Sequence, residues 1–202
     1  MAVRFLLAFV TVAAFAVAFG GSDPVEELEL PPSGGEKHSA FGAWPVVQVP
    51  GETYDIDVLR INLPIGKHRT VSGLDFGLLA NMTLGRSSGL SFATIGTMAG
   101  RGVGLFQVAA MFNAVEVDSY GMQLALTNVA GDDYAGAQIG LVNLSGGFEG
   151  LQLGVYNQSE TTSGLQFGLV NVTGELRGVQ FGLLNVASAS SVPVLPLLHF
   201  GY

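Results

Sequence analysis

The sequence predicts an all-β chain, folded as an antiparallel meander that closes into a small membrane-type β-barrel of about ten strands, with a parallel β-solenoid as the alternative. Three observations carry this prediction. The chain repeats the unit G-x-Q-x-G-x-x-N, each unit alternates apolar and small or polar residues, and only 12% of its 202 residues are charged. An average soluble domain carries roughly 25% charged residues. The shortage therefore points to extensive apolar surface.

The chain opens on Met1-Ala2-Val3-Arg4, followed by an apolar run from Phe5 to Phe19 that contains Ala16-Val17-Ala18. A basic residue, a short apolar core and an A-x-A site are the plan of a secretory signal peptide, so residues 1–20 read as a leader cleaved near Ala18 to Gly21. The run is short of the roughly 20 residues that a spanning helix needs. Residues 21–43 turn to Pro, Gly, Ser and acid, with Asp23, Glu26, Glu27, Glu29 and Glu36 against Lys37, and read as a solvated linker. Residues 44–202 are the repeat domain. It begins with Trp44-Pro45-Val46-Val47-Gln48-Val49, an edge strand or a plug-like segment. With no cysteine there is neither a disulfide nor a lipid-modified N-terminal cysteine. Stability must then come from pairing and packing.

The clearest units start at Gly136, Gly150, Gly164 and Gly178, spaced by 14 residues, with a further copy at Gly121, 15 residues before Gly136. Copies at Gly73 and Gly89 are weaker, and the stretch from Gly102 to Asn113 is the most degenerate. Within Gly164 to Asn171, Leu165, Phe167 and Leu169 alternate with Gly164, Gln166, Gly168 and Val170, the signature of a strand with two unlike faces. Thr173-Gly174-Glu175, Ser145-Gly146-Gly147 and Ser159 to Ser163 supply turn chemistry between units. The strands so defined are Asp55 to Ile65, Thr70 to Ala80, Ser87 to Thr97, Gly102 to Asn113, Ser119 to Val129, Tyr134 to Leu144, Phe148 to Gln158, Thr162 to Val172, Leu176 to Val186 and Val192 to Tyr202.

Two features favour the barrel. If Lys67 and His68 form a two-residue turn, Arg60 falls opposite Asp75 and Asn62 opposite Gly73, which places both charges on the small-polar face where a lumen would lie. The last strand also ends as an apolar face on Tyr202, with Leu198, Phe200 and Tyr202 resembling the terminal assembly signal of outer-membrane barrels. In this reading Arg60, Asn62, Asp75, Gln138, Gln152, Gln166 and Gln180 line the lumen. A solenoid would instead stack Asn143, Asn157, Asn171 and Asn185 at one corner and bury Leu and Phe. G-x-Q-x-G reads the same in both directions about Gln, so antiparallel pairing also sets Gln beside Gln and Gly beside Gly, and the motif alone does not decide. The mid-strand positions of Phe76, Phe167 and Phe181 suit a membrane barrel poorly, because its aromatic residues gather in girdles at the interfaces.

Asp57 to Asn62 (DVLRIN), Val71 to Leu79 (VSGLDFGLL), the GLQFGLVN-type units and the ending Val194 to Tyr202 (VLPLLHFGY) resemble the surface-repeat-containing protein family of Leptospira and other diderm bacteria. The likeness spans roughly residues 44 to 202. Ser91, Ala93 and Gly96 depart from it where Gln, Gly and Asn are usual. The resemblance implies an exported protein of the outer membrane or cell surface of a Gram-negative bacterium. It supplies no catalytic residues.

A net charge of -8 with only 8 Lys and Arg argues against nucleic-acid binding. His38, His68 and His199 lack partners at metal-ligand spacing, and Asp132-Asp133 reads as a solvated acidic turn. Ser159 and Ser163 have no His base beside them, and no glycine-rich phosphate loop exists. The three Asn-x-Ser/Thr sequons at Asn143, Asn157 and Asn171 follow from the repeat itself. No metal, cofactor, small-molecule substrate or enzymatic activity is expected. The function expected first is a structural barrel or narrow pore, whose partners are the lipid bilayer and the outer-membrane assembly machinery. The alternative is a surface or periplasmic β-solenoid that binds or adheres through its Gln, Gly and Asn face.

Overall fold

The computed structural model describes residues 32–43, 47–51 and 53–202. The expected leader, residues 1–20, residues 21–31 of the acidic stretch and Trp44-Pro45-Val46 of the expected edge strand or plug lie outside the described residues. Within the described residues there is no helix. The strands are β1 (Glu36–Ala43), β2 (Val47–Val49), β3 (Asp55–Asn62), β4 (Ile65–His68), β5 (Thr70–Gly77), β6 (Ala80–Ala93), β7 (Gly96–Ala109), β8 (Phe112–Val115), β9 (Ser119–Leu124), β10 (Thr127–Ala130), β11 (Tyr134–Ile139), β12 (Val142–Leu153), β13 (Tyr156–Phe167), β14 (Val170–Ala187) and β15 (Val194–Gly201).

These strands form a parallel β-solenoid of about nine turns, not a barrel. Each repeat unit is one coil with two arms. In the best coils the first arm is Thr162 to Phe167, the chain bends at Gly168-Leu169, the second arm is Val170 to Thr173, and a second bend at Gly174-Glu175 leads to the next coil. Coil stacks on coil in register: Gly150, Gly164 and Gly178 are Cα partners, as are Gln152, Gln166 and Gln180, and Asn143, Asn157 and Asn171. The offset lengthens to 15 between β11 and β9 and to 16 between β5 and β6. Extra residues are absorbed where the register shifts, between Thr83 and Arg86 and between Ser87 and Gly89.

Only parallel stacking aligns the whole motif. Pairing antiparallel about Gln166 and Gln180 would set Asn171 against Glu175, and about Gln152 and Gln166 would set Asn157 against Thr161, so no Asn would meet another Asn. The odd spacing of five residues between Gln and Asn is decisive in the same way. On one straight strand they would face opposite sides, whereas a bend at Gly168-Leu169 turns both inward. The predicted strands, such as Thr162 to Val172, therefore run around a corner.

The hairpin at Lys67-His68 does not exist, because both residues belong to β4, which lies parallel to β6. Arg60 is nonetheless beside Asp75, through the parallel β3/β5 register, and Asn62 is opposite Gly77, not Gly73. At the amino end β1, which includes the last residues of the acidic stretch, pairs parallel with β3, and β2 pairs antiparallel with β1. At the carboxyl end β15 turns back antiparallel on β14. Val194 to Gly201 thus caps the last coil and closes no barrel.

Candidate functional site

The motif resolves into four structural duties. The first glycine adopts a φ of +141° at Gly164, where a Cβ would lie 2.2 Å from the Gly150 carbonyl oxygen. Only glycine lets successive coils approach there. Gln follows, buried, and Asn closes the unit, also buried. At the second glycine, Gly168, a Cβ would come within 2.7 Å of Asn157 Nδ2 and 2.9 Å of Asn171 Oδ1. Its missing side chain is the space the Asn column occupies.

Two amide ladders fill the interior. Gln123, Gln138, Gln152, Gln166 and Gln180 each donate from Nε2 to Oε1 of the Gln one coil before, beginning at Gln107, over 2.6 to 2.9 Å. Asn113, Asn128, Asn143, Asn157 and Asn171 donate the opposite way, to Oδ1 of the Asn one coil later, ending at Asn185, over 2.8 to 3.1 Å. The second hydrogen of each Asn amide crosses to the other arm, as from Asn157 to the Phe167 carbonyl at 2.9 Å and from Asn171 to the Phe181 carbonyl at 2.8 Å. Beside the ladders a small apolar cluster of Ala99, Leu105, Val115, Ala130, Tyr134 and Phe148 is also buried, with Tyr134 stacked on Phe148 at 6.2 Å. The Gln ladder leaves one loose acceptor at its carboxyl end, Gln180 Oε1, whereas the Asn ladder is closed at its amino end by Thr97, which donates to Asn113 Oδ1 at 2.8 Å. His199, the cross-strand partner of Gln180, ends the Gln column with its buried Nδ1 likewise unpartnered.

Toward the amino end, Arg60, Asp75 and Ser91 occupy the Gln column. Arg60 is wholly buried, and its Nε and Nη2 donate to the two Asp75 oxygens at 2.7 and 2.5 Å, while Nη1 donates to the Met82 carbonyl at 2.8 Å. Asp75 also accepts from Asn62 and Ser91. A buried ion pair is retained only with such full satisfaction, and losing one partner costs about 3–5 kcal/mol. His68 packs against Arg60 Nη1. Burial, reinforced by the Arg60 charge, pushes its imidazole down to about 3. It is neutral at physiological pH.

The residues expected to line a lumen are therefore core. Arg60, Asn62, Asp75, Gln138, Gln152, Gln166 and Gln180 are all buried, and the Gln, Gly and Asn face offered for binding by the solenoid alternative is hidden as well. The expectation that the Leu and Phe of the repeat unit, such as Leu165 and Phe167, fill the solenoid is reversed: they stand outside, and among the described Leu and Phe residues only Leu105, Leu144, Phe148 and Leu176 are buried.

Three outward columns result. One runs through Leu74, Leu90, Phe106, Met122, Leu151, Leu165 and Val179; the second through Ile61, Phe76, Phe92, Leu124, Phe167 and Phe181. The third follows the first bend at Ile95, Met111, Leu126, Leu141, Val155, Leu169 and Leu184. Phe76 stacks on Phe92 at 5.4 Å and Phe167 on Phe181 at 4.8 Å. Phe200 and Leu198 of β15, opposite Val179 and Phe181, extend the face, while Tyr202 is exposed beyond it. Leu169 is 52% exposed, Phe106 47% and Leu184 42%. With strands about 4.8 Å apart and residues about 3.3 Å apart, the face covers on the order of 700 Å², above the roughly 300–600 Å² of the largest patch on an ordinary monomer. None of its residues is ionisable.

The acid of the middle coils collects at the second bend, with Glu116, Asp118, Asp132 and Asp133 there and Glu160 and Glu175 farther along, while Asp57, Glu149 and Arg177 stand in the outer row that borders the first apolar column. Burial, and then the neighbouring Asp118 and Asp133, raise the Asp132 carboxyl above its usual range; burial, and then Asp132, raise Glu116. Among the described residues no group of His, Cys, Asp or Glu is placed to hold a metal. The exposed apolar face was visible in the sequence as the Leu and Phe positions, but not as a solvent-facing surface. Comparison with protein-family models, with curated proteins and with solved structures gives no match.

Proposed function

We propose that the chain is a non-enzymatic β-solenoid binding or adhesion module of the cell envelope, surface or periplasmic, which works through its exposed apolar face. The observation that carries the proposal is the segregation of side chains: amides bonded to one another inside, an uncharged Leu and Phe face outside, and most of the acid of the middle coils at the far bend. A water-exposed apolar face of this size is costly for an isolated molecule and is the usual mark of an interaction surface. The leader-like first residues and the resemblance to exported surface-repeat proteins support the envelope location.

The test uses full chain tethered to beads at low density, so that copies do not meet, and titrated with the apolar dye bis-ANS. Wild type is expected to bind dye, and Leu165→Gln/Phe167→Gln/Leu169→Gln to lose most of it with the same far-UV circular dichroism. Dye binding that is absent, or indifferent to the substitutions, contradicts the proposal. Detection of the chain in the cytosolic fraction of its host would contradict the envelope location.

A further inference from the structure

Building on the apolar face as the working surface, we infer that its occupant is a second copy of this chain, the two packing face to face as a homodimer. Four observations lead there. First, the face is large enough. Covering on the order of 700 Å² on each copy removes about 1,400 Å² in all, within the roughly 1,200–2,000 Å² of stable interfaces.

Second, the face is chemically its own best complement. It offers no ionisable group to a charged partner, and two apolar sheet faces packed about 10 Å apart form the layer found inside every β-sandwich. Third, it is periodic. Leu151, Leu165 and Val179 repeat at the strand spacing, as do Leu153, Phe167 and Phe181. A second copy has the same repeat and can seat its side chains between these rows along the whole length, as a two-fold contact requires; a partner without the repeat matches only locally.

Fourth, the alternatives are disfavoured by what surrounds the face. End-to-end growth is blocked by antiparallel strands at both ends, β2 on β1 and β15 on β14. A bilayer surface is recognised by basic residues beside apolar ones, whereas this chain has 16 acidic against 8 basic residues. The acid of the middle coils lies at the second bend, and the charges nearest the face, Asp57, Glu149 and Arg177, stand in the row bordering it rather than within the three apolar columns, so two copies meet without charge inside the layer.

The test is sedimentation velocity of the full chain without detergent over a micromolar concentration series. Wild type is expected as a dimer, and Leu165→Gln/Phe167→Gln/Leu169→Gln as a monomer or a dimer weakened at least tenfold, with unchanged circular dichroism. A chain that binds bis-ANS when tethered yet sediments as a monomer throughout overturns the dimer while leaving the binding face intact. A dimer that the triple substitution does not weaken overturns it too. Co-sedimentation of a monomeric chain with phosphatidylcholine vesicles would give the face to a bilayer and likewise overturn it.

Discussion

Gln152→Leu separates an amide-filled core from a wet lumen. Gln152 is fully buried, donates 2.8 Å to Gln138 Oε1 and accepts 2.6 Å from Gln166 Nε2, with a longer bond of 3.3 Å to Ser145. Leucine has nearly the same volume and is the better core residue by transfer alone, a gain of at most about 2 kcal/mol. It cannot bond along the axis, however. Gln138 Oε1 then has no donor and Gln166 Nε2 loses its 2.6 Å acceptor and keeps only Ser159 at 3.3 Å, each costing about 1–3 kcal/mol when buried. The expected net loss is about 2–4 kcal/mol, read as a lower urea midpoint at unchanged slope. Gln138→Leu/Gln152→Leu should cost less than the sum of the single changes, because one bond is counted in both. Unchanged or increased stability of the single variant would refute the ladder, since a lumen-facing Gln in water would give that result.

Gly164→Ala tests the coil-to-coil contact. At φ +141° with the Gly150 oxygen 2.2 Å from the added Cβ, the coils must separate, and a loss of more than about 2 kcal/mol is expected. Loss of less than about 0.5 kcal/mol would show that the glycine column is not a close contact. Acid stability tests His68. Its folded-state value is about 3 against an ordinary 6.5, so between these pH values the unfolded chain binds a proton that the folded chain does not. Stability from this group therefore falls as pH drops below about 6.5, by up to about 1.4 kcal/mol per pH unit, and the dependence ends near 3. His68→Gln should flatten the stability-versus-pH curve across that window, and an unchanged slope would place His68 outside the buried Arg60 network.

Much of the fold is legible in the sequence, yet its closure is not. The repeat, its 14-residue period and the two-sided strands follow from Gly164-Leu165-Gln166-Phe167 and its copies, because alternation reports which residues share a side. It does not report which side is wet. Leu165 outside and Gln166 inside describe a lipid-facing barrel and this solenoid equally well, and transfer energies favour the opposite solenoid, with Leu within. What reverses that preference is cooperative. One buried Gln is costly, but a column from Gln107 to Gln180 supplies each amide with its partner. Strand direction was available in the spacing of Gln166 and Asn171, since five residues is odd and the full motif is not a palindrome. The Arg60 and Asp75 juxtaposition was anticipated from a hairpin that the chain does not form; the parallel offset of 15 residues brings the same two groups together. Leu198, Phe200 and Tyr202 read as an assembly signal because a terminal apolar strand looks alike in both architectures, and only its antiparallel seat on β14 distinguishes them.

Parallel, in-register stacking is the claim on which the rest depends, and paired cysteines on the outer face measure it directly. The chain has no cysteine of its own. Leu151 and Leu165 are Cα partners in the stack, about 4.8 Å apart as neighbouring strands are and within disulfide reach. Leu151 and Phe167 are diagonal neighbours at about 8 Å, beyond it. Antiparallel pairing centred on Gln152 and Gln166 exchanges the two distances. Oxidation should therefore link Leu151→Cys/Leu165→Cys within one chain, quickly and nearly completely, and leave Leu151→Cys/Phe167→Cys reduced. Efficient linkage of the second pair with failure of the first would contradict the solenoid.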